Sequence, residues 1–217
     1  DILIIVNKGQ LKQFKKILSD GSRFGVKIKY VEQEKPKGLP DAFILGEKFI
    51  GKDNVALILG DNFFYAQSLT TKLKECVKLK SGCKVLLHPV NKPELYGVAK
   101  IKNKKISEII EKPNKPKSNL AVTGLYFFDN KVINLSKKLK PSKRNEIEIV
   151  DLLRKYMKNK TLKAEFLGRG GAWLDTGSID EFYETSSFVA AIENRQGLKI
   201  ACLEEIAFNY GWINKKK

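Results

Sequence analysis

An unbroken apolar run, Val55-Ala-Leu-Ile-Leu59, leads straight into Gly60-Asp61-Asn62. A short continuous apolar run bounded by turn residues reads as a strand covered on both faces, the pattern of a parallel strand inside an α/β protein. Gly60 lets the backbone turn or approach a ligand. Asp61 then falls just beyond the carboxyl end of the strand, the edge at which open α/β sheets bind ligands. A carboxylate there suits Mg²⁺, which takes one or two carboxylates and fills its remaining positions with water and phosphate oxygens. Gly-Asp-Asn is also ordinary turn chemistry, so the run constrains the fold before it constrains the function.

The segments before it extend the pattern. Ile2–Val6 is apolar and β-branched, Leu11–Leu18 has helical spacing, and Val26–Val31 alternates as a strand does. Leu39–Ile50 reads as a helix, and Val55–Leu59 is then the third strand. Strand, helix, strand, helix, strand is a doubly wound order with right-handed crossovers. Downstream, Leu69–Leu79, Lys131–Leu139, Glu146–Lys158 and Ile179–Asn194 read as helices, with a last one beginning at Glu204. Lys84–Val90, Val98–Ile101, Ile106–Ile110, Leu120–Phe128, Ala164–Leu167 and Leu198–Cys202 read as strands, and Trp173–Gly177 as a loop carrying a carboxylate. There are no repeats and no Gly/Ser linker. The expectation is one α/β domain: a mostly parallel mixed central sheet with helices on both faces.

Composition narrows the class. The 217 residues carry a formal net charge of +17, from 41 Lys+Arg against 24 Asp+Glu. The positive charge is nearly all lysine and is spread along the chain, without an arginine-rich helix or aromatic–basic interleaving, so a solvated surface is expected and no nucleic-acid partner. No apolar run is long enough to span a bilayer, and no membrane partner is expected. The three cysteines, Cys76, Cys83 and Cys202, form no CxxC pair, and His88 is the single histidine. Neither a disulfide framework nor a His-based metal cluster is indicated, and a reducing, cytoplasmic setting fits.

Several short patterns could carry chemistry. Asp61 and Asp175 are both acids in glycine-flanked loops; brought together, two carboxylates could clamp a metal between phosphate groups. Lys112 follows Glu111 at a strand end, where an ammonium could meet a phosphate and a carboxylate could accept hydroxyl protons. Tyr96-Gly97 and the Gln33…Gly38 stretch are turns where backbone could approach a sugar or a base. Each signal alone is weak: Glu-Lys-Pro is more often a solvated turn, Tyr-Gly a turn with a packed ring and Asp-Thr-Gly a plain loop, and spacing does not bring them together in space.

Taken in order, the motifs Ser19-Asp-Gly-Ser22, Gln33…Gly38, Leu59-Gly-Asp-Asn62, Tyr96-Gly97, Glu111-Lys-Pro113, Lys117-Ser-Asn119, Ala121-Val-Thr-Gly-Leu-Tyr126, Leu139-Lys-Pro-Ser142, Glu146-Ile-Glu-Ile149, Gly168-Arg169, Ala172-Trp-Leu-Asp-Thr-Gly177 and Arg195-Gln-Gly-Leu198 are specific. Through them nearly the whole chain resembles the nucleotide-sugar pyrophosphorylases, above all those that act on glucose 1-phosphate with dTTP. The resemblance implies a Rossmann-like nucleotidyltransferase fold and the reaction of dTTP with glucose 1-phosphate to dTDP-glucose and pyrophosphate, with Mg²⁺. It implies that Asp61 and Asp175 hold the metal and that Lys112 binds the sugar phosphate in line with the α-phosphorus. Gln33 and Gly38 would recognise thymine, with Asp61 also at the nucleotide. Tyr96, Gly97, Glu111, Val122, Tyr126 and Arg144 would surround the sugar and its phosphate. A homotetramer and a place in dTDP-rhamnose and cell-surface polysaccharide synthesis are implied likewise.

The chain also departs from the family's pattern. Members open with a strand, a Gly-rich phosphate loop with an arginine, and a further lysine, and Ile2–Val6 matches the strand after these. A single nucleotidyltransferase domain over residues 1–217, truncated at both ends, is therefore expected, with little turnover by this polypeptide. Tyr65 and Arg169 would lie at a second, regulatory nucleotide site, but Phe64-Tyr-Ala-Gln67 lacks the glycine and histidine usual there. The alternatives are a non-catalytic relative that binds a nucleotide-sugar, or the same chemistry on another nucleotide or sugar phosphate.

Overall fold

A computed structural model describes residues 1–142 and 144–214. In chain order the elements are β1 (Ile2–Asn7), α1 (Leu11–Leu18), β2 (Ile28–Gln33), α2 (Asp41–Leu45), α3 (Glu47–Ile50), β3 (Val55–Ile58), β4 (Asn62–Tyr65) and α4 (Leu69–Val77). They continue with β5 (Cys83–Pro89), β6 (Gly97–Lys102), β7 (Lys105–Glu111), β8 (Leu120–Phe128), α5 (Lys131–Ser136), α6 (Ile149–Lys158), β9 (Leu162–Phe166), β10 (Ala172–Asp175), α7 (Ile179–Gln196) and α8 (Leu203–Asn209). They fall into two compact units, Asp1–Pro36 with the chain from Ser186 on, and Lys37–Thr185.

In the first unit β1 and β2 pair in parallel, from Ile2 against Ile28 to Asn7 against Gln33. The helical crossover α1 joins them, as parallel neighbours require. Gly25, at φ +70, lies so close to Trp212 that a Cβ would come within 2.6 Å of its carbonyl oxygen. Only glycine fits both demands there.

The second unit is built on a six-stranded mixed sheet in the order β7-β6-β8-β5-β9, with β3 also paired to β8. β5 and β9 run parallel, and the other ladders of this sheet are antiparallel. β8 is the central strand. Along it Val122, Tyr126 and Phe128 point into one core with Phe43, Ile133, Leu152 and Tyr156. Ala121, Leu125 and Phe127 point into another with Cys76, Leu86, Leu167 and Trp173. Helices α2, α5 and α6 therefore cover one face, and α4 with the antiparallel β4·β10 pair covers the other. Truncating a ring such as Phe128 would cost roughly 3–5 kcal/mol.

The sheet strands and helices stand where the sequence pattern puts them, with several corrections. The strand covered on both faces is β8, not β3: β3 is antiparallel to β8, has that single strand partner among the described residues, and leaves Ile58 57% exposed. An apolar run reports capacity for burial, and neighbours decide whether it is used. The helix expected over residues 39–50 is two short ones joined at Gly46. The residues after Asp61 and before Asp175, read as turn and loop, are strands that among the described residues pair only with each other. Leu198–Cys202 forms no strand; Ala201 sits at φ +51, outside the extended region. Among the described residues no helix is long and apolar enough to cross a membrane.

Candidate active site

Asp61 and Asp175 are brought together by the β4·β10 ladder. The two strands run antiparallel with Asn62 opposite Asp175 and Tyr65 opposite Ala172. Past Asp175, Thr176 gives its backbone N–H to the Asp61 carbonyl at 2.8 Å and its hydroxyl to the same oxygen at 2.9 Å. Burial and then the Asp61 charge push the Asp175 carboxyl above its ordinary range, against N–H donation from Gly177 at 3.0 Å. Glu181 adds to the rise. The pair is thus short of positive charge.

This donor set fits a hard divalent cation. Asp61 is exposed and Asp175 half-buried. Among the described residues no group of three or more His, Cys, Asp and Glu side chains converges to hold a metal, so a cation here would take two carboxylates and complete its shell with water and phosphate oxygens.

Asn62 connects Asp61 to β8 and β10. Its Oδ1 accepts from the Gly124 N–H at 2.9 Å and the Trp173 indole N–H at 2.7 Å, and its Nδ2 donates to Asp61 Oδ1 at 2.8 Å. The carboxamide occupies the space a side chain at Gly124 would need, since a Cβ there would collide with Asn62 Oδ1. Trp173 packs edge-on against Tyr96, with ring centroids 5.0 Å apart. Burial first, then the Asp175 and Glu181 charges, push the Tyr96 phenol up, which places this ring in the field of the carboxylates.

From Tyr96 the site continues to Lys112. The Tyr96 carbonyl accepts from the Lys112 N–H at 3.0 Å, and Lys112 has φ +39. A lysine held in the left-handed region costs of order 1 kcal/mol, and such strain collects at functional positions. Glu111, just before it, pairs with Gly97 across β6 and β7. A Cβ on Gly97 would meet Val150 at 3.0 Å and Glu111 Oε2 at 3.3 Å, so the glycine leaves room for that carboxylate.

Arg144 links two glutamates. It donates to Glu111 Oε1 at 3.3 Å and to Glu148 at 3.1 and 2.7 Å. Burial and then Glu148 raise the Glu111 carboxyl, while Arg144 and Lys112 oppose the rise. Burial also works to raise Glu148, but hydrogen bonds from Arg144 and Ser142 and the charges of Arg144 and Lys112 bring it below its ordinary value. Val122 and Tyr126, both buried on β8, lie along the same wall: Val122 is 3.9 Å from a Cβ built on Gly97, and burial and the Glu111 charge push the Tyr126 phenol up.

Asp61, Asp175, Tyr96, Gly97, Glu111, Lys112 and Arg144 are therefore linked one to the next within the second unit, with Val122 and Tyr126 buried in the core beside Gly97 and Glu111. Gln33 lies in the first unit, where it ends β2 and its amide donates to Asn7 at 3.0 Å. Gly38 lies in the second, at φ +108, with its backbone against Ile147. Tyr65 ends β4 and Arg169 is exposed in the loop after β9.

Sequence reasoning assigned no role to Asn62, Trp173 or Glu148. All three stand within or beside the quoted motifs. Their adjacency to Asp61, Asp175 and Arg144 was a signal, but the bonds that join Asn62 to Gly124 and to Trp173 span distant parts of the sequence.

The nucleotidyl transferase family profile matches residues 1–192. The glucose-1-phosphate thymidylyltransferase of Neisseria meningitidis is 49% identical over 218 aligned positions, covering 100% of this chain and 76% of the relative. That of Xanthomonas campestris pv. campestris is 45% identical, covering 100% of this chain and 74% of the relative. A solved Bacillus anthracis structure, described as a glucose-1-phosphate thymidylyltransferase, superposes with a TM-score of 0.79 at 40% identity, covering 87% of this chain and 75% of that one.

Proposed function

The chain belongs to the nucleotidyl transferase family, and on that footing we propose that it makes dTDP-glucose and pyrophosphate from dTTP and glucose 1-phosphate. The observation that carries the reading is the Asp61–Asp175 pair, joined through Trp173 and Tyr96 to Lys112 and the Glu111–Arg144 group. Relatives at 49% and 45% identity bear the name of this activity.

In the reaction an oxygen of the sugar phosphate bonds to the α-phosphorus of dTTP. The bond from that phosphorus to its leaving oxygen breaks, and pyrophosphate departs with the electron pair. The nucleophile needs no general base, because a phosphate monoester is largely ionised at neutral pH, with a second pKa of about 6. What the protein must supply is alignment and charge. Lys112 meets the sugar phosphate and holds its oxygen in line. Glu111 accepts hydrogen bonds from sugar hydroxyls, with Arg144 beside it. Gly97 gives the sugar room at the backbone, and Tyr96, Val122 and Tyr126 wall it. Asp61 and Asp175 would hold Mg²⁺, which supplies charge neutralisation between the nucleotide and sugar phosphates.

The test is pyrophosphate release by the full-length protein from dTTP and glucose 1-phosphate, alongside UTP, CTP, ATP and other sugar 1-phosphates. Turnover with dTTP and glucose 1-phosphate above the other pairs, lost in Asp61→Asn, is expected. Preference for another pair would overturn the substrate assignment, and full activity in Asp61→Asn would overturn the metal site.

A further inference from the structure

We propose that Asn62 is the positioning residue of the carboxylate pair: it sets the direction of the Asp61 carboxylate, and hence the affinity for a divalent cation, without touching cation or substrate. The inference rests on the reading of Asp61 and Asp175 as a cation site.

The Asn62 carboxamide can face only one way. Two N–H donors converge on one end of it, from Gly124 on β8 at 2.9 Å and from Trp173 on β10 at 2.7 Å. Neither N–H can accept, so the end they meet must be the carbonyl oxygen. The amide nitrogen is thereby forced to the opposite side, where it donates to Asp61 Oδ1 at 2.8 Å. The orientation of Asn62 is thus dictated by two elements distant in sequence. It passes that orientation to its chain neighbour.

The anchor is rigid. Trp173 is 8% exposed and braced against Tyr96. Gly124 belongs to the central strand, and its missing Cβ is where the carboxamide sits. Asp61, by contrast, is exposed and sits between β3 and β4. Left alone, an exposed aspartate samples several rotamers and must lose that freedom when it coordinates an ion. Donation from Asn62 restricts the carboxylate beforehand and uses lone pairs of one oxygen, leaving the other oxygen for a cation. Hydrogen bonds of this kind, to groups that themselves bind metal, are typically worth roughly 10- to 100-fold in metal affinity.

The experiment measures Mn²⁺ binding by electron paramagnetic resonance, with near-ultraviolet circular dichroism as the check on folding. Asn62→Ala should weaken Mn²⁺ binding about 10-fold or more while the dichroism is kept. Trp173→Phe keeps an aromatic ring, though a smaller one, and removes the donor, and should weaken binding in the same direction by less. Asn62→Ala that is folded and binds Mn²⁺ within a factor of about two of the unaltered protein overturns the inference. Should Asn62→Ala not fold, Trp173→Phe decides: weaker binding supports the role and unchanged binding overturns it. Mn²⁺ binding that is absent from the unaltered protein, or that survives Asp61→Asn, removes the cation site itself and the role of Asn62 with it. Binding lost in Asp61→Asn yet untouched in Asn62→Ala removes only the latter.

Discussion

Thr176 donates twice to one atom of Asp61. Its backbone N–H and its hydroxyl reach the same carbonyl oxygen at 2.8 and 2.9 Å. The loop after β10 is therefore fastened to the turn before β4, which holds Asp61, in that turn, close to Asp175 at the end of β10. Thr176→Val keeps the shape and the backbone bond and loses the hydroxyl. A single net hydrogen bond contributes about 0.5–1.5 kcal/mol. The expected loss in urea unfolding is near the lower end, since the Asp61 carbonyl keeps one donor.

Two glycines flanking the same turn should behave differently. A Cβ at Gly124 would strike the Asn62 carboxamide and come within 2.9 Å of Leu59. Gly124→Ala is expected to cost about 1–3 kcal/mol, the range for overpacking. Gly60 has nothing within 4 Å of a built Cβ and no positive φ. Gly60→Ala should leave stability within about 0.5 kcal/mol of the unaltered protein. Denaturant midpoints of the two variants, compared side by side, check this.

The strain at Lys112 separates its backbone role from its side-chain role. At φ +39 alanine is as strained as lysine, whereas glycine is not. Lys112→Gly should therefore be more stable than Lys112→Ala by about 1 kcal/mol. Both should lose turnover, because neither carries the ammonium. Equal stability of the two would show that the left-handed backbone carries no strain.

The two glutamates on Arg144 should respond to pH with opposite signs. Burial and Glu148 raise the folded value of Glu111 above the ordinary 4.5. Its contribution to stability is therefore full below the ordinary glutamate range and is lost as pH rises through the raised value. Glu111→Gln should raise the thermal midpoint at neutral pH and change nothing once the carboxyl is protonated, at about pH 3. Glu148 has a folded value below the ordinary 4.5, set by Arg144 and Ser142 against the opposing effect of burial. Its contribution is present above 4.5 and lost as pH falls through the lowered value. Glu148→Gln should lower the midpoint at neutral pH, with the deficit vanishing in acid. Midpoints of both variants from about pH 3 to 8 would decide, and a shared sign would contradict the assignment of Arg144 chiefly to Glu148.

Much of the fold was legible because helical and strand periodicity are local properties. α1, β8 and the long helix α7 stand within a few residues of their expected limits. β4 and β10 were not legible. They are four residues each, and they exist only because segments on either side of five intervening strands pair with each other. β3 was misjudged in burial for the same reason, since an apolar run does not state how many neighbours it has.

The candidate site divides along that line. The sequence by itself determined which residues could carry the chemistry: two acids next to glycines, a lysine after a glutamate, and the ordered motifs that mark the family. Only the tertiary structure decided that the β4·β10 ladder brings Asp61 close to Asp175, that Asn62 takes its orientation from Gly124 and Trp173, and that Arg144 divides itself between Glu111 and Glu148. The physical reason is that residue type fixes what a side chain can donate, accept or titrate. Direction and charge environment come from elements that meet only when the sheet closes.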